Sequence, residues 1–294
     1  MVTTVTIPKE KAKPLARNEV KDEIEHLARC RATMDVTGAF IADSTRDELI
    51  NWGAGPGAAP KLSPKEIEAQ IKTGAGSAGI SAIVEPADLD LYRSFLYPPL
   101  SMPDKPEVGV SMWDFNRSNT IARFQEGRVT VKAMCPDGKE SWLVISVPVA
   151  SLLMCYMGVV WGWPKYVADE MTVTPTKAEV KYEGSVRLSL DFTPGGKVDE
   201  AALKERGIYE FLKECSFHVD KGGACLFRIT SRPGISIKVA EWQAGMVKIY
   251  LRPQDKWAGL IPANSIVPGV YQRFVATGGT DYVWQKVKVS KGKK

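Results

Sequence analysis

The sequence has 294 residues and a net charge of +5, which is enough chain for one large domain or two modest ones. Hydrophobic residues make up 44% and charged residues 25%, proportions that exclude a wholly disordered chain. Much of the positive charge lies in residues 9–17 and 286–294, and no basic stripe interleaved with aromatic residues lies between them. The sequence therefore predicts no nucleic-acid partner.

The cysteines and histidines limit the chemistry further. The number of cysteines is five, which is odd, and no pair has C-x-x-C spacing, so we predict reduced thiols and a cytoplasmic protein. The two histidines, His26 and His218, are too few to favour zinc chemistry or a Ser-His-Asp triad. We predict neither a metal nor another cofactor.

The first part of the chain predicts a helical N-terminal extension over residues 1–77. Its basic start has no apolar core after it, so no signal peptide is expected, and residues 1–16 are typical of disorder. Apolar spacing predicts a helix over 18–34. A capping box with proline at the first helical position, Ser63-Pro-Lys-Glu66, predicts a second helix that ends near Gly74.

From Ala78 onward, short β-branched runs alternate with turns, which predicts a separate domain over 78–294. Helices are predicted over 88–95 and 198–215, and a turn at Glu126-Gly127. Many short strands at even spacing predict a closed or sandwiched antiparallel sheet. The predicted strands cover 78–84, 108–115, 120–124, 128–133, 170–174, 178–182, 185–192, 225–230, 235–244, 246–251 and an edge strand over 283–289.

An uncharged stretch, Ser141 to Pro164, is long enough to span a bilayer. Pro148 interrupts it, serines lie within it, and no Lys/Arg cluster flanks it on one side. These features favour two buried strands with a bend at 148–151, and we predict no membrane association.

Lys165 directly follows this apolar stretch, in the segment Trp161-Gly-Trp-Pro-Lys-Tyr166. Desolvation disfavours the charged form of an amine, so burial lowers the pKa of a lysine and makes a neutral nucleophile available near pH 7. A neutral amine attacks a ketone and forms an imine, which acts as an electron sink. The alternative is an ordinary solvated lysine that follows a core segment.

Four features in this order make residues 78–294 similar to the acetoacetate decarboxylase superfamily. The first is the segment Glu85 to Leu100, which resembles the family's helix and "P-x-P-L" turn. The others are Glu126, the G-[FYW]-P-K-like segment Gly162 to Lys165, and the late strand Ala244 to Arg252.

The resemblance implies an α+β fold, a mostly antiparallel, cone-like β-barrel with flanking helices, assembled as a homo-oligomer. It also implies that Lys165 is a Schiff-base nucleophile and Glu126 a catalytic residue that transfers protons. From the sequence alone, Glu126 equally suits a solvated hairpin turn.

Several positions depart from the family pattern. Tyr166 replaces a second lysine, Val159 replaces a glutamate, Ser111 lies near a position that is acidic in the family, and residues 78–84 contain no arginine. The site is therefore expected to be more apolar and to take a bulkier keto compound. The candidate substrate-binding residues are Trp161, Trp163, Tyr166, Trp113 and Ser111. For the three tryptophans the sequence favours core packing over substrate contact, and both roles are compatible.

These observations lead to three hypotheses about function. The first is a Schiff-base-forming carbon–carbon lyase that decarboxylates a β-keto acid through an imine on Lys165. The second is an imine-dependent aldolase or dehydratase of the same superfamily. The third is a non-catalytic barrel that binds an apolar ligand. The expected partner is a small-molecule keto acid or ketone.

Overall fold

The fold is known from a computed structural model that describes residues 63–72, 76–115, 124–150, 155, 158, 163–205, 214–220, 223–231, 237–276 and 282–287. All of them belong to the second of two compact units, residues 37–294. The predicted helix over 18–34, and with it most of the helical extension, lies outside the described residues.

Helices are few and strands are many in the described ranges. The helices are α1 (Pro64–Lys72), α2 (Leu89–Phe95) and α3 (Glu200–Glu205), with a short 3-10 helix at Ala258–Leu260. The strands are β1 (Ser77–Val84), β2 (Val108–Phe115), β3 (Phe124–Met134), β4 (Glu140–Val149), β5 (Lys165–Val167), β6 (Glu170–Val173), β7 (Lys177–Tyr182), β8 (Ser185–Pro194), β9 (Glu214–Asp220), β10 (Gly223–Ser231), β11 (Ile237–Leu251), β12 (Ile266–Ala276) and β13 (Tyr282–Lys286).

Helices α1 and α2 are each capped at the N-terminus by a side chain. The Ser63 amide donates to the Glu66 carboxylate at 2.6 Å, and the Glu66 amide donates to the Ser63 hydroxyl at 3.4 Å, which is the predicted capping box. The Asp88 carboxylate accepts from the amides of Asp90 and Leu91 at 2.9 and 2.8 Å. Both predicted helices are confirmed.

The described strands form one sheet in the order β13-β10-β9-β4-β3-β2-β1-β12-β11-β8-β7-β6, with β5 beside β4. Neighbouring strands are antiparallel, except that β4 runs parallel to β5 and to β9. The mostly antiparallel sheet with few helices is confirmed. The described strands do not close into a ring, and instead curl into an open half-barrel that begins at β13 and ends at β6.

The sheet has one apolar face and one partly polar face, because successive side chains of a strand point to opposite faces. On β3, Val129 and Val131 belong to the main core, which the buried Tyr92 of α2 joins. Glu126 and Arg128 alternate with these valines and therefore lie on the other face. The strand order thus gathers buried charges on one face of the sheet.

The predicted turn at Glu126-Gly127 is wrong, and the predicted helix over 198–215 is wrong in part. The turn at Glu126-Gly127 does not exist, because β3 runs through both residues. A side chain at Gly127 would reach Pro148 at 2.8 Å, so this glycine serves close packing rather than a turn. The predicted helix over 198–215 is also wrong at its end, because Glu214 begins β9.

The apolar run after Ser141 is only partly the predicted pair of strands. Its first half is β4, as expected. Cys155 and Gly158, two described residues of its second half, are helical, so the predicted second strand is wrong there. In the part of the chain that the structure describes, no helix is both long enough and apolar enough to cross a bilayer.

Candidate active site

Lys165 begins the three-residue strand β5, which pairs with β4 so that Lys165 lies opposite Val147. The Val147 amide donates to the Pro164 carbonyl at 3.2 Å, and the Lys165 amide donates to the Trp163 carbonyl at 2.8 Å. These bonds fix the backbone on both sides of the lysine. Only 1% of its side chain is exposed.

Gly158 makes room for this side chain. A Cβ atom at position 158 would overlap the Cδ and Cε atoms of Lys165. The Trp163 amide also donates to the Gly158 carbonyl at 2.9 Å, which ties the lysine-bearing turn to this residue. The aliphatic part of the Lys165 side chain therefore packs directly against the backbone of Gly158.

Four charged residues form a continuous buried chain. The Lys165 ammonium donates to Oε2 of Glu126. Arg128 donates to Oε1 of the same carboxylate through Nε at 2.7 Å, and its Nη2 lies 2.6 Å from that oxygen. Nη1 of Arg128 donates to Oε1 of Glu214. The order of the chain is thus Lys165, Glu126, Arg128 and Glu214, with alternating charge.

Burial and neighbouring charges shift the pKa values of the first pair in this chain. Desolvation lowers the pKa of the Lys165 amine, and the charge of Arg128 adds to this, although Glu126 acts in the opposite direction. Burial would raise the pKa of Glu126, but the charges and hydrogen bonds of Lys165 and Arg128 outweigh it and hold that pKa below its usual value.

The pKa of Glu214 is shifted in the opposite direction from that of Glu126. Desolvation, joined by the negative charge of Glu126, raises the pKa of Glu214 to about 7 in spite of the bond from Arg128. Its Oε2 atom is buried and accepts no hydrogen bond within the described ranges. The carboxyl of Glu214 therefore carries a proton over part of the neutral pH range.

Trp163 and a small apolar cluster enclose the amine. The Nζ atom of Lys165 lies 4.8 Å from the centre of the Trp163 ring, and the guanidinium carbon of Arg128 lies 5.1 Å from it. Trp163 packs with Val144, Val147, Val149 and Cys155. Burial raises the pKa of the Cys155 thiol to about 11, so this neighbour stays protonated.

The family model for acetoacetate decarboxylase matches residues 62–287, which is most of the chain and includes all four charged residues. The chain belongs to the acetoacetate decarboxylase family. A search of the curated proteins found no match to the sequence.

Solved structures of this family share the fold. An acetoacetate decarboxylase from Legionella pneumophila is 17% identical, with a TM-score of 0.56 over 73% of this chain and 86% of that one. The enduracididine biosynthesis enzyme MppR, complexed with the condensation product of pyruvate and imidazole 4-carboxaldehyde, is 13% identical, with a TM-score of 0.52 over 73% and 89%. An acetoacetate decarboxylase-like enzyme from Sphingomonas wittichii RW1 is 13% identical, with a TM-score of 0.51 over 72% and 92%.

Several residues singled out from the family resemblance meet on one face of the sheet. Lys165 and Glu126 bond directly, and Trp163 lies beside both Lys165 and Arg128. Trp113 is the register partner of Glu126 on β2, and Ser111 is the register partner of Arg128. Trp113 is completely buried and also packs on Phe115 and Phe274, so it is a core residue that borders the site.

Tyr166 is not brought to this site. It follows Lys165 in β5 and therefore points to the opposite face, where its ring lies 4.9 Å from the ring of Tyr182. The guanidinium carbon of Arg187 lies 4.3 Å from the centre of the Tyr166 ring. Trp161, the remaining candidate, lies outside the described residues.

Three residues of the site were missed from the sequence. Arg128 had a usable signal, because it is two positions after Glu126 and a strand places side chains two positions apart on one face. Glu214 was hidden inside a predicted helix. The role of Gly158 depends on the path of the lysine stem and has no sequence signal.

The fit between Gly158 and Lys165 gives a first prediction. Gly158→Ala is expected to displace the stem of Lys165 and to lower the free energy of unfolding by about 1–3 kcal/mol, because a methyl group has no space there. Urea denaturation measures the loss. Gly138→Ala is the control, because a Cβ at that exposed turn meets nothing within 4 Å, although the φ of +76° is strained. A Gly158 variant that keeps the wild-type environment of the Lys165 amine would contradict the prediction.

Proposed function

We propose that this protein is a carbon–carbon lyase that forms an imine between Lys165 and a keto compound, and that it decarboxylates a β-keto acid. The observation that carries the proposal is the buried Lys165 amine, whose pKa is lowered and which bonds to Glu126 within a family of decarboxylases. An amine of this kind is a nucleophile near neutral pH.

The steps follow from the residues around the amine. Neutral Lys165 adds to the ketone carbon, and loss of water leaves an iminium ion. The bond to the carboxylate then breaks, carbon dioxide leaves, and the electron pair moves into the iminium group to give an enamine. Protonation at carbon and addition of water release the ketone and the free amine.

Glu126 is the residue we assign to proton transfer in these steps. Its Oε2 atom accepts a hydrogen bond from the Lys165 ammonium. Glu126 can therefore take a proton from the nitrogen during addition and give a proton to the oxygen that leaves as water. Because Lys165 and Arg128 hold its pKa low, Glu126 starts the reaction as a base. Trp163 excludes water beside the same nitrogen.

Arg128 is the residue we assign to the substrate carboxylate. It is a buried guanidinium next to the Lys165–Glu126 pair, and guanidinium groups bind carboxylates with two parallel hydrogen bonds. Among the described residues it donates to the carboxylates of Glu126 and Glu214. A substrate carboxylate would therefore displace one of these bonds.

The same arrangement favours an imine-dependent aldolase or dehydratase as a second candidate. A substrate without a carboxylate at the reacting carbon would leave the bonds of Arg128 in place. MppR, which shares the fold, was obtained with a condensation product of pyruvate and an aldehyde. Decarboxylation and aldol cleavage both start from an imine on Lys165 and differ in the bond that breaks next.

Reduction with borohydride tests the shared step. The full-length protein is incubated with pyruvate, acetoacetate or bulkier β-keto acids and then with borohydride. Mass spectrometry of peptides should find the reduced adduct on Lys165 and on no other lysine. Release of carbon dioxide from a β-keto acid separates decarboxylation from aldol chemistry.

A protein that only binds an apolar ligand would form no adduct with any keto compound in this panel. That result would overturn the proposed function and favour the non-catalytic hypothesis. The keto acid or ketone partner, the homo-oligomer and the cytoplasmic location remain predictions. Size measurement in solution tests the homo-oligomer.

A further inference from the structure

We propose that Glu214 is a positioning residue that controls the charge of Lys165, by holding one proton of the buried chain while the amine is neutral. The inference rests on the proposed use of Lys165 as a nucleophile. No feature of the sequence pattern assigned Glu214 to the site, and it touches Lys165 only through Arg128 and Glu126.

The position of Glu214 supports this role. It begins β9, which runs parallel to β4, and it lies opposite Trp142. Only 4% of the residue is exposed. One carboxylate oxygen accepts from Arg128, while the other is buried and accepts no hydrogen bond from the described residues, a desolvated environment that disfavours the ionised form.

The ionisable groups around Glu214 are few. From β3 it meets Arg128 and, beyond it, Glu126, and from β5 the charge of Lys165 reaches it. The β4 residues paired with β9, Trp142 and Leu143, carry no charge. Among the described side chains, the other titratable groups near the chain are the Cys155 thiol, which acts on Lys165, and Cys215, which follows Glu214.

Two arrangements of protons leave the buried chain without net charge. In the first, Lys165 is an ammonium and both glutamates are ionised. In the second, Lys165 is a neutral amine and Glu214 is protonated, while Arg128 and Glu126 remain a charged pair. Moving one proton from Lys165 to Glu214 converts the first arrangement into the second, so a nucleophilic amine forms without a net buried charge.

Without Glu214, the remaining three residues have no net charge only when Lys165 is a neutral amine. The pKa of Glu214, about 7, supports the exchange, because protonation of this carboxyl then costs little at neutral pH. The ammonium form of Lys165 is therefore favoured more by ionised Glu214 than by protonated Glu214. Glu214 thereby couples the nucleophile to the pH of the surroundings.

The test is Glu214→Gln in the full-length protein labelled with ¹³C-lysine. Glutamine keeps an oxygen that accepts from Arg128 but has no charge. The Cε resonance of Lys165, assigned by its absence from Lys165→Met, reports the pKa of the amine. We expect that pKa to fall by about one pH unit in Glu214→Gln. If Glu214 only held Arg128 in place, the variant would titrate like the wild type, and that result overturns the proposal.

Glu214→Asp is the matched control, since it keeps the carboxyl group. The pKa of Lys165 is expected to differ less from the wild-type value in Glu214→Asp than in Glu214→Gln. A larger difference in Glu214→Asp contradicts the proposal. The measurement needs no substrate, so it separates this proposal from the proposed function. If the pKa of Lys165 falls in Glu214→Gln but the wild type forms no borohydride adduct, Glu214 still controls the charge of Lys165 and the proposed imine is wrong.

The wild-type protein gives a second measurement that does not depend on a variant that folds. In protein labelled with ¹³C at the glutamate carboxyl, one buried carboxyl carbon is expected to titrate near pH 7. If every glutamate carboxyl titrates below about pH 5, as ordinary glutamates do, Glu214 carries no proton at neutral pH and the proposal is overturned.

Discussion

Lys165→Met is expected to abolish the borohydride adduct and to reduce turnover of any accepted keto acid by about four orders of magnitude or more, because the variant lacks the attacking nitrogen. Methionine keeps the length of the stem that packs beside Gly158. Glu126 keeps both contacts from Arg128 at its Oε1 atom, so its charge stays paired although Oε2 loses the bond from Lys165. Peptide mass spectrometry and carbon dioxide release measure the two effects.

The control for this variant is Lys181→Met. Lys181 of β7 pairs with Glu170 at 2.8 Å, and 40% of its side chain is exposed. Removing that amine is expected to leave both measurements unchanged. If Lys165→Met still forms the adduct, another amine is the nucleophile, and the assignment of the active site is wrong.

The sequence could predict Lys165 because its environment is local. A long uncharged run leads directly to the lysine, and the strand that pairs with it, β4, is part of that run. Glu126 was found through the family spacing, while its local sequence equally suggested an exposed turn. In the structure it is 1% exposed and lies inside a strand, so the neighbouring strands, not the residues around it, decide its burial.

The rest of the charged chain could not be predicted, because it depends on contacts between distant segments. Glu214 lies 86 residues from Arg128 and comes beside it only where β9 pairs with β4. An amphipathic pattern over residues 198–215 obscured that strand. Tyr166 illustrates the opposite error, since adjacency to Lys165 in the sequence places it on the other face of β5.

Arg128→Met is expected to cause the largest loss of stability of any substitution in this chain of charges. Arg128 joins two buried carboxylates, and removing one partner of a buried ion pair costs about 3–5 kcal/mol. The variant is also expected to raise the pKa of Lys165, because the guanidinium charge that disfavours the ammonium is gone. Imine formation should therefore require a higher pH than in the wild type.

The loss of stability is expected to depend on pH. In the wild type the lowered pKa of Glu126 gives stability that is present above about pH 4.5 and is lost as the pH falls. The raised pKa of Glu214 acts in the opposite sense and removes stability as the pH rises from about 4.5 to about 7. Without Arg128, the stabilisation from ionised Glu126 becomes smaller and the destabilisation from ionised Glu214 becomes larger. The variant should therefore differ more from the wild type near pH 8 than near pH 5.

Urea denaturation of both proteins near pH 5 and pH 8 measures this difference. Arg187→Met is the matched control, because Arg187 also forms a partly buried ion pair, with Asp255 at 2.8 Å, and lies on the far side of β5 beside Tyr166. It is expected to lower stability without moving the titration of Lys165. If Arg128→Met loses the same stability at both pH values, the two glutamates do not carry the charges assigned to them.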